Sequence, residues 1–254
     1  MKKAVFLTAY NRLDYLRQTL ETWKTVRGQE DWHFVAMIEP YEGGSTVVRM
    51  FEDFFQETNW GSYLIHVNPQ RYGVLHHPWV GFENLFNNDA IGQNYDFVLR
   101  AEDDLLVSDD ILEFFSWAAE TYQDNKQVAT VHSFSHGEGD PADVVLSDGF
   151  SPWIWGTWQD RWMEYLGPTW DHDYSTFNGH PGNQSGWDWN INTRLFPKMN
   201  LRSVVPVVSR SDNIGVFGTH GTAENFVRLP DFQQHQPRVS YRGVDTTRYE
   251  HFPD

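Results

Sequence analysis

Over the first 125 residues, short apolar runs alternate with stretches in which apolar residues return every three or four positions. Lys3 to Thr8 predicts a strand, broken at Tyr10-Asn11-Arg12. Leu13, Leu16, Leu20 and Trp23 then fall at helical spacing. Phe34 to Ile38 predicts a second strand that ends at Glu39-Pro40, because proline has no N–H for a ladder. Glu42-Gly43-Gly44-Ser45 reads as a turn and N-cap for a helix bearing Val47, Val48, Phe51, Phe54 and Phe55. Tyr63 to Val67 predicts a third strand, 68–73 a loop, and Trp79, Phe82, Leu85 and Phe86 one face of the next helix. A strand at 97–101 and a helix from Asp110 to about Tyr122 follow. This alternation predicts an α/β fold with a mostly parallel sheet flanked by helices.

Beyond residue 125 the rhythm is lost. Gln127 to Ser133 predicts one more strand, and 137–149 reads as a Gly/Asp-rich loop. The aromatic run from Phe150 to Trp162 has spacings that suit a short helix after Gly156. Composition shifts near residue 135, yet no repeat, low-complexity tract or linker separates the halves. One domain over 1–254 is expected, with halves at 1–125 and 126–254.

The strongest chemical signal lies where the 97–101 strand stops, at Glu102-Asp103-Asp104. Three adjacent carboxylates repel one another. A divalent cation relieves the repulsion, and oxygen ligands suit Mg²⁺ or Mn²⁺. In an open α/β sheet the carboxyl end of a strand is also where ligands bind. On its own the triplet fits a solvated loop equally well, with Asp109-Asp110 capping the following helix. Neither a Gly-x-Gly-x-x-Gly turn nor a Walker loop is present, so phosphate would be held by metal and side chains.

Charge and composition narrow the choice. With 19 Lys and Arg against 35 Asp and Glu, the net charge of −16 argues against a nucleic-acid partner. The absence of cysteine excludes disulfides, thiolate zinc sites and thiol nucleophiles. No stretch has the apolar length of a membrane span, and the start lacks the pattern of a secretory signal, so a cytoplasmic protein is expected. Seven of the 12 tryptophans fall between Trp153 and Trp189. Indoles there either fill a core or stack on sugar rings, with Trp187 and Trp189 the best candidates for the second role.

In this order the pieces resemble the GT-A glycosyltransferases, and among them the N-acetylglucosaminyltransferase I family (family thirteen). The similar features span roughly 4–222. Tyr10-Asn11-Arg12 resembles the family's first nucleotide-contacting turn, and Glu39 stands where an acid contacts uracil or ribose, more often an Asp. Glu102-Asp103-Asp104-Leu105 resembles the family's Glu-Asp-Asp-Leu turn, whose last acid, here Asp104, binds the metal. Gly186-Trp187-Asp188-Trp189 resembles its Trp-Asp acceptor motif, which makes Asp188 the catalytic base. Ser209-Arg210 with Gly218-Thr-His220-Gly221 resembles the loop that closes over the donor. The family's cysteines, membrane anchor and stem are missing, which suggests a bacterial or viral relative.

The resemblance implies a metal-dependent, inverting transferase that moves a sugar from a UDP-sugar, UDP-N-acetylglucosamine in the parent family, to a glycan, protein or small-molecule hydroxyl. The first half would bind nucleotide, and the second the acceptor. The cofactor would be Mn²⁺ or Mg²⁺ at Asp104, with Tyr10, Arg12, Glu39, Arg71, Glu102, Asp103 and Arg210 around the donor. Flanking indoles would raise the basicity of Asp188, and loop 211–222 would exclude water. Alternatives stay open: Asp188 as a helix cap, Asp171 or Asp173 as the base, and His220 as a ligand or as neither. So do other functions: a lectin-like carbohydrate-binding protein, nucleotidyl transfer, or glycosylation of modified DNA over Arg194, Lys198 and Arg202. The segment after Arg242 suits a lid, a tail or an oligomer contact.

Overall fold

The computed structural model describes residues 1–58, 60–87, 94–173, 186–215 and 250–252. Four parallel strands form one side of its sheet: β1 (Lys3–Ala9), β2 (Trp32–Ile38), β3 (Tyr63–Val67) and β4 (Phe97–Glu102). Between them run α1 (Leu13–Trp23), α2 (Gly44–Glu57) and α3 (Gly73–Asn87). After β4 come a short β5 (Leu105–Val107) and α4 (Ile111–Thr121). The sheet continues with β6 (Val128–His132), β7 (Asp143–Ser147), β8 (Trp155–Trp158), β9 (Arg202–Pro206) and, at the far edge, residues 250–252. Its order is 250–252, β7, β9, β6, β8, β4, β1, β2, β3. A separate antiparallel ribbon pairs β5 with β10 (Ser211–Asn213).

Alternation along β1 explains the layers. Val5, Leu7 and Ala9 face the core built with α1, α2 and α4, while Ala4 and Phe6 face α3 and the helical segments 159–166 and 187–199. Strands buried on both faces read as continuous apolar runs, which is why the first half follows the expected pattern.

The second half departs from it in two places. Gly156 lies inside a strand, β8, and the short helix expected after it begins only at Gln159. β8 is wedged antiparallel between β4 and β6, and a Cβ on Gly156 would stand 2.6 Å from the Phe97 ring. Only glycine lets the strands close up there. The supposed loop at 137–149 contains β7, whose Val144-Val145-Leu146 core pairs with β9. Because β8 enters between β4 and β6, both halves of the sequence share one sheet. Among the described residues no helix is long and apolar enough to cross a membrane.

Candidate functional site

β1 ends at Ala9, so Tyr10 leaves the sheet at its carboxyl end and Arg12 takes the N-cap position of α1. One strand over, β4 stops at Glu102 and hands on to Asp103 and Asp104. The Arg12 guanidinium spans both, pairing with Asp103 through Nη2 and with Asp104 Oδ2 through Nη1 at 2.6 Å. Thr19 Oγ1 donates to the Asp103 carbonyl at 3.0 Å, which ties the turn to α1. Both aspartates are buried. Burial holds both carboxyls above the usual range, the charge of Glu102 adds to this, and Arg12 opposes it. The same carboxylates, with those of Glu102, hold the Arg12 guanidinium firmly protonated against its own burial.

Glu39 leaves β2 on the α3 side of the sheet. Its carboxylate accepts from the Tyr72 N–H at 2.8 and 3.1 Å and from the Gly73 N–H at 2.9 Å, and His77 Nδ1 lies 3.2 Å away. At 3 % exposure it anchors the first turn of α3. That is the favourable place for an acid at a helix start. Burial raises the Glu39 carboxyl, with the two N–H donors opposing. What faces outward here is aromatic and cationic: Arg71 stacks over Tyr10 at 4.6 Å, and Tyr10 meets Tyr41 edge to face at 5.4 Å. Tyr41 and His77 were not anticipated, since neither lies in a motif.

Arg100, also unanticipated, joins this end of the sheet to the Trp-Asp segment. Buried in β4, it meets Glu102 at 3.1 Å and donates to the Pro152 carbonyl at 3.2 Å. Its guanidinium sits 5.2 Å from the Trp187 ring. A cation two residues before an acid on one strand face is the signal that could have found it. Trp187 is buried, not a sugar platform: it stacks on Trp170 at 4.6 Å and 9° and lies 6.0 Å from Trp155. Trp189 stays partly exposed.

Asp188 is in the first turn of the helix that starts at Trp187, with Gly186 at φ 112° as its N-cap; Asp188 is therefore not the cap itself. Asp171, a rival for the base, accepts from the Asp173 N–H at 2.9 Å and the Gly186 N–H at 3.2 Å. It thereby holds the chain where this helix begins. Asp173 is exposed.

Arg210 lies elsewhere. Wholly buried, it meets Asp110 Oδ2 at 3.2 Å and donates to the carbonyls of Val208 (2.7 Å) and Pro141. In this arrangement the guanidinium is buried against these fold partners, not open at the surface of the site. Asp110 likewise does not cap α4 through its side chain; it accepts from Ser108 Oγ at 2.5 Å and from Arg210. β10 then carries the chain to the acid turn, where the Ile214 N–H donates to the Asp104 carbonyl at 2.9 Å. Gly215 packs so closely that a Cβ there would overlap Asp104 Oδ2 and lie 3.0 Å from Asn213 Oδ1. Residues 216–222 of the expected lid, with His220, and the segment after Arg242 up to 249 lie outside the described residues.

The donor set fits a hard divalent cation. It is all carboxylate oxygen, and burial of mutually repelling acids leaves a charge that such an ion would offset. Among the described residues no group of three His, Cys, Asp or Glu closes around one point. A cation at Asp104 would therefore complete its coordination with ligand oxygens and water, as Mg²⁺-type sites do.

No family model and no curated protein matches the chain. Solved structures do. It is similar to the mannosyltransferase PcManGT from Pyrobaculum calidifontis in complex with GDP-Man and Mn²⁺, at 15% identity and TM-score 0.56, over 89% of this chain and 60% of that one. It is similar to S. aureus TarS 1–349 at 11% identity and TM-score 0.54, over 83% and 59%. It also resembles GalNAc-T7 with UDP, GalNAc and Mn²⁺ at 9% and TM-score 0.54, over 84% and 44%. The chain thus spans 60% or less of the length of these structures. At such identities the likeness shows the fold, which is the GT-A fold; it does not reach the narrower N-acetylglucosaminyltransferase I family.

Proposed function

We propose that this chain is a cation-dependent glycosyltransferase that takes a sugar from a nucleoside-diphosphate sugar, UDP being the leading nucleotide, and passes it to a hydroxyl acceptor. The observation that carries the reading is the buried acid turn at the carboxyl end of β4, faced by Arg12 and flanked by Tyr10 and Arg71 at the neighbouring strand end. In a GT-A fold this is where a nucleotide sugar lies. PcManGT and GalNAc-T7, described above with nucleotide ligands and Mn²⁺, support the ligand class.

A divalent cation at Asp104 would act as a Lewis acid on the leaving diphosphate. Arg12 supplies charge-assisted hydrogen bonds to phosphate oxygens, and Tyr10 with Arg71 offers an aromatic-cationic surface to the nucleotide. Glu39 holds the loop that carries Arg71, and Arg100 holds Glu102 and Trp187 in fixed relation. Asp188, beside that indole, is the proposed base. Its carboxylate takes the acceptor hydroxyl's proton as the oxygen attacks the anomeric carbon from the face opposite the diphosphate, which inverts the configuration. The lectin-like alternative loses support because Trp155, Trp158, Trp162, Trp170 and Trp187 are all buried.

The test is thermal unfolding with UDP and UDP-sugars, each with Mn²⁺ and with chelator. A ligand at a hundred times its Kd should add about 2.7 kcal/mol, only with the cation. Asp104→Asn should abolish that shift. Asp188→Asn should keep it while lowering UDP release on an acceptor panel by roughly 10²- to 10⁴-fold. If no nucleotide shifts the melt, the reading is wrong.

A further inference from the structure

The acid turn is shut from two sides. Asp104 Oδ2 is taken by Arg12 Nη1 at 2.6 Å, and Gly215 packs against the same oxygen. The other fork nitrogen of Arg12 holds Asp103. Both carboxylates are buried, so a lone cation arriving from water finds the pair already partly neutralised by Arg12 and enclosed. A guanidinium leaves two carboxylates readily only for another anion that can accept its fork, and a diphosphate presents that geometry.

We infer that Arg12 is the resident counter-ion of Asp103 and Asp104, and that the site takes the chelate of a divalent cation with a diphosphate rather than the free cation. The inference rests on the proposed donor reading and deepens it. When the chelate enters, Arg12 exchanges the carboxylates for phosphate oxygens, and Asp104 is released at the moment a cation is at hand. Free cation is thereby kept from loading the turn without substrate. Gly215 ties the same exchange to the chain that follows β10, because moving Asp104 moves its neighbour.

The experiment is a Mn²⁺ titration followed by the paramagnetic resonance signal of free Mn²⁺, with and without UDP. Wild type should bind Mn²⁺ alone weakly, and at least tenfold more tightly with UDP. Arg12→Gln should bind Mn²⁺ alone at least tenfold more tightly than wild type and gain less from UDP. An Arg12→Gln protein with Mn²⁺ affinity no higher than wild type overturns the inference. If that variant does not fold, Arg12→Lys serves, since one ammonium meets the two carboxylates less completely than a fork. An intermediate affinity supports the inference, and equality with wild type overturns it. The two readings fail separately. If UDP does not change Mn²⁺ binding by wild type, the donor reading falls and the chelate with it, while a gain in Arg12→Gln still assigns the counter-ion. If UDP tightens binding but Arg12→Gln gains nothing, the donor reading stands and the counter-ion role falls.

Discussion

Gly215 is placed where one methyl group decides the fit. Gly215→Ala would drive its Cβ into Asp104 Oδ2, an oxygen held by Arg12 and unable to swing clear cheaply. Overpacking of this kind costs about 1–3 kcal/mol. The expected outcome is an unfolding free energy lower by that amount in urea titration, and loss of the Mn²⁺-dependent UDP shift. A stable variant with unchanged UDP binding would show that the loop sits elsewhere when ligand is bound. At this scale the sequence was partly legible. Asp103 and Asp104 stood out as adjacent acids at a strand end, although the triplet alone fitted a solvated loop equally well. The partners Arg12, Gly215 and Arg100 could not be inferred as contacts, since they come from three separated places in the chain.

At the scale of elements, the ribbon of β5 and β10 hangs on a fully buried ion pair, Arg210 with Asp110. Arg210→Met would remove one partner from a buried pair, and such breaks cost about 3–5 kcal/mol. Urea unfolding should show it. Asp110→Leu added to Arg210→Met should recover much of the loss, because no buried charge is then left over. If the double variant is as weak as the single, the carbonyl contacts of Arg210 matter more than its charge. The elements of the first half were legible because parallel strands and amphipathic helices have different periods. In the second half, β8 was hidden by its tryptophans: Trp155, Trp158 and Trp162 fall at helical spacing, although the first two belong to a strand. β7 was hidden because three apolar residues lie among turn formers, and only pairing with β9 makes them a strand. Local pattern carries no record of such a partner.

For the molecule as a whole, buried histidines set how the fold meets acid. His132 lies inside the sheet near the carbonyls of Phe134 and Gly149, and burial lowers its pKa to about 4. The folded state keeps it neutral, while an unfolded chain protonates it near pH 6.5. Its contribution is thus complete above about pH 6.5 and is lost as pH falls toward 4, at about 1.4 kcal/mol per unit. His132→Gln should flatten the fall of the urea midpoint between pH 6.5 and 4.5 relative to wild type. Equal slopes would mean the site opens to water. His77, lowered to about 3 by burial, works in the same direction.

The stacked indoles of Trp170 and Trp187 give the protein an optical consequence. At 4.6 Å their excited states are coupled, and Trp187 opens the helix whose next residue is Asp188. Any shift of that helix against the 170 region separates the chromophores and changes the near-ultraviolet signal. The proposed base therefore carries a built-in gauge of its own position, readable without a label.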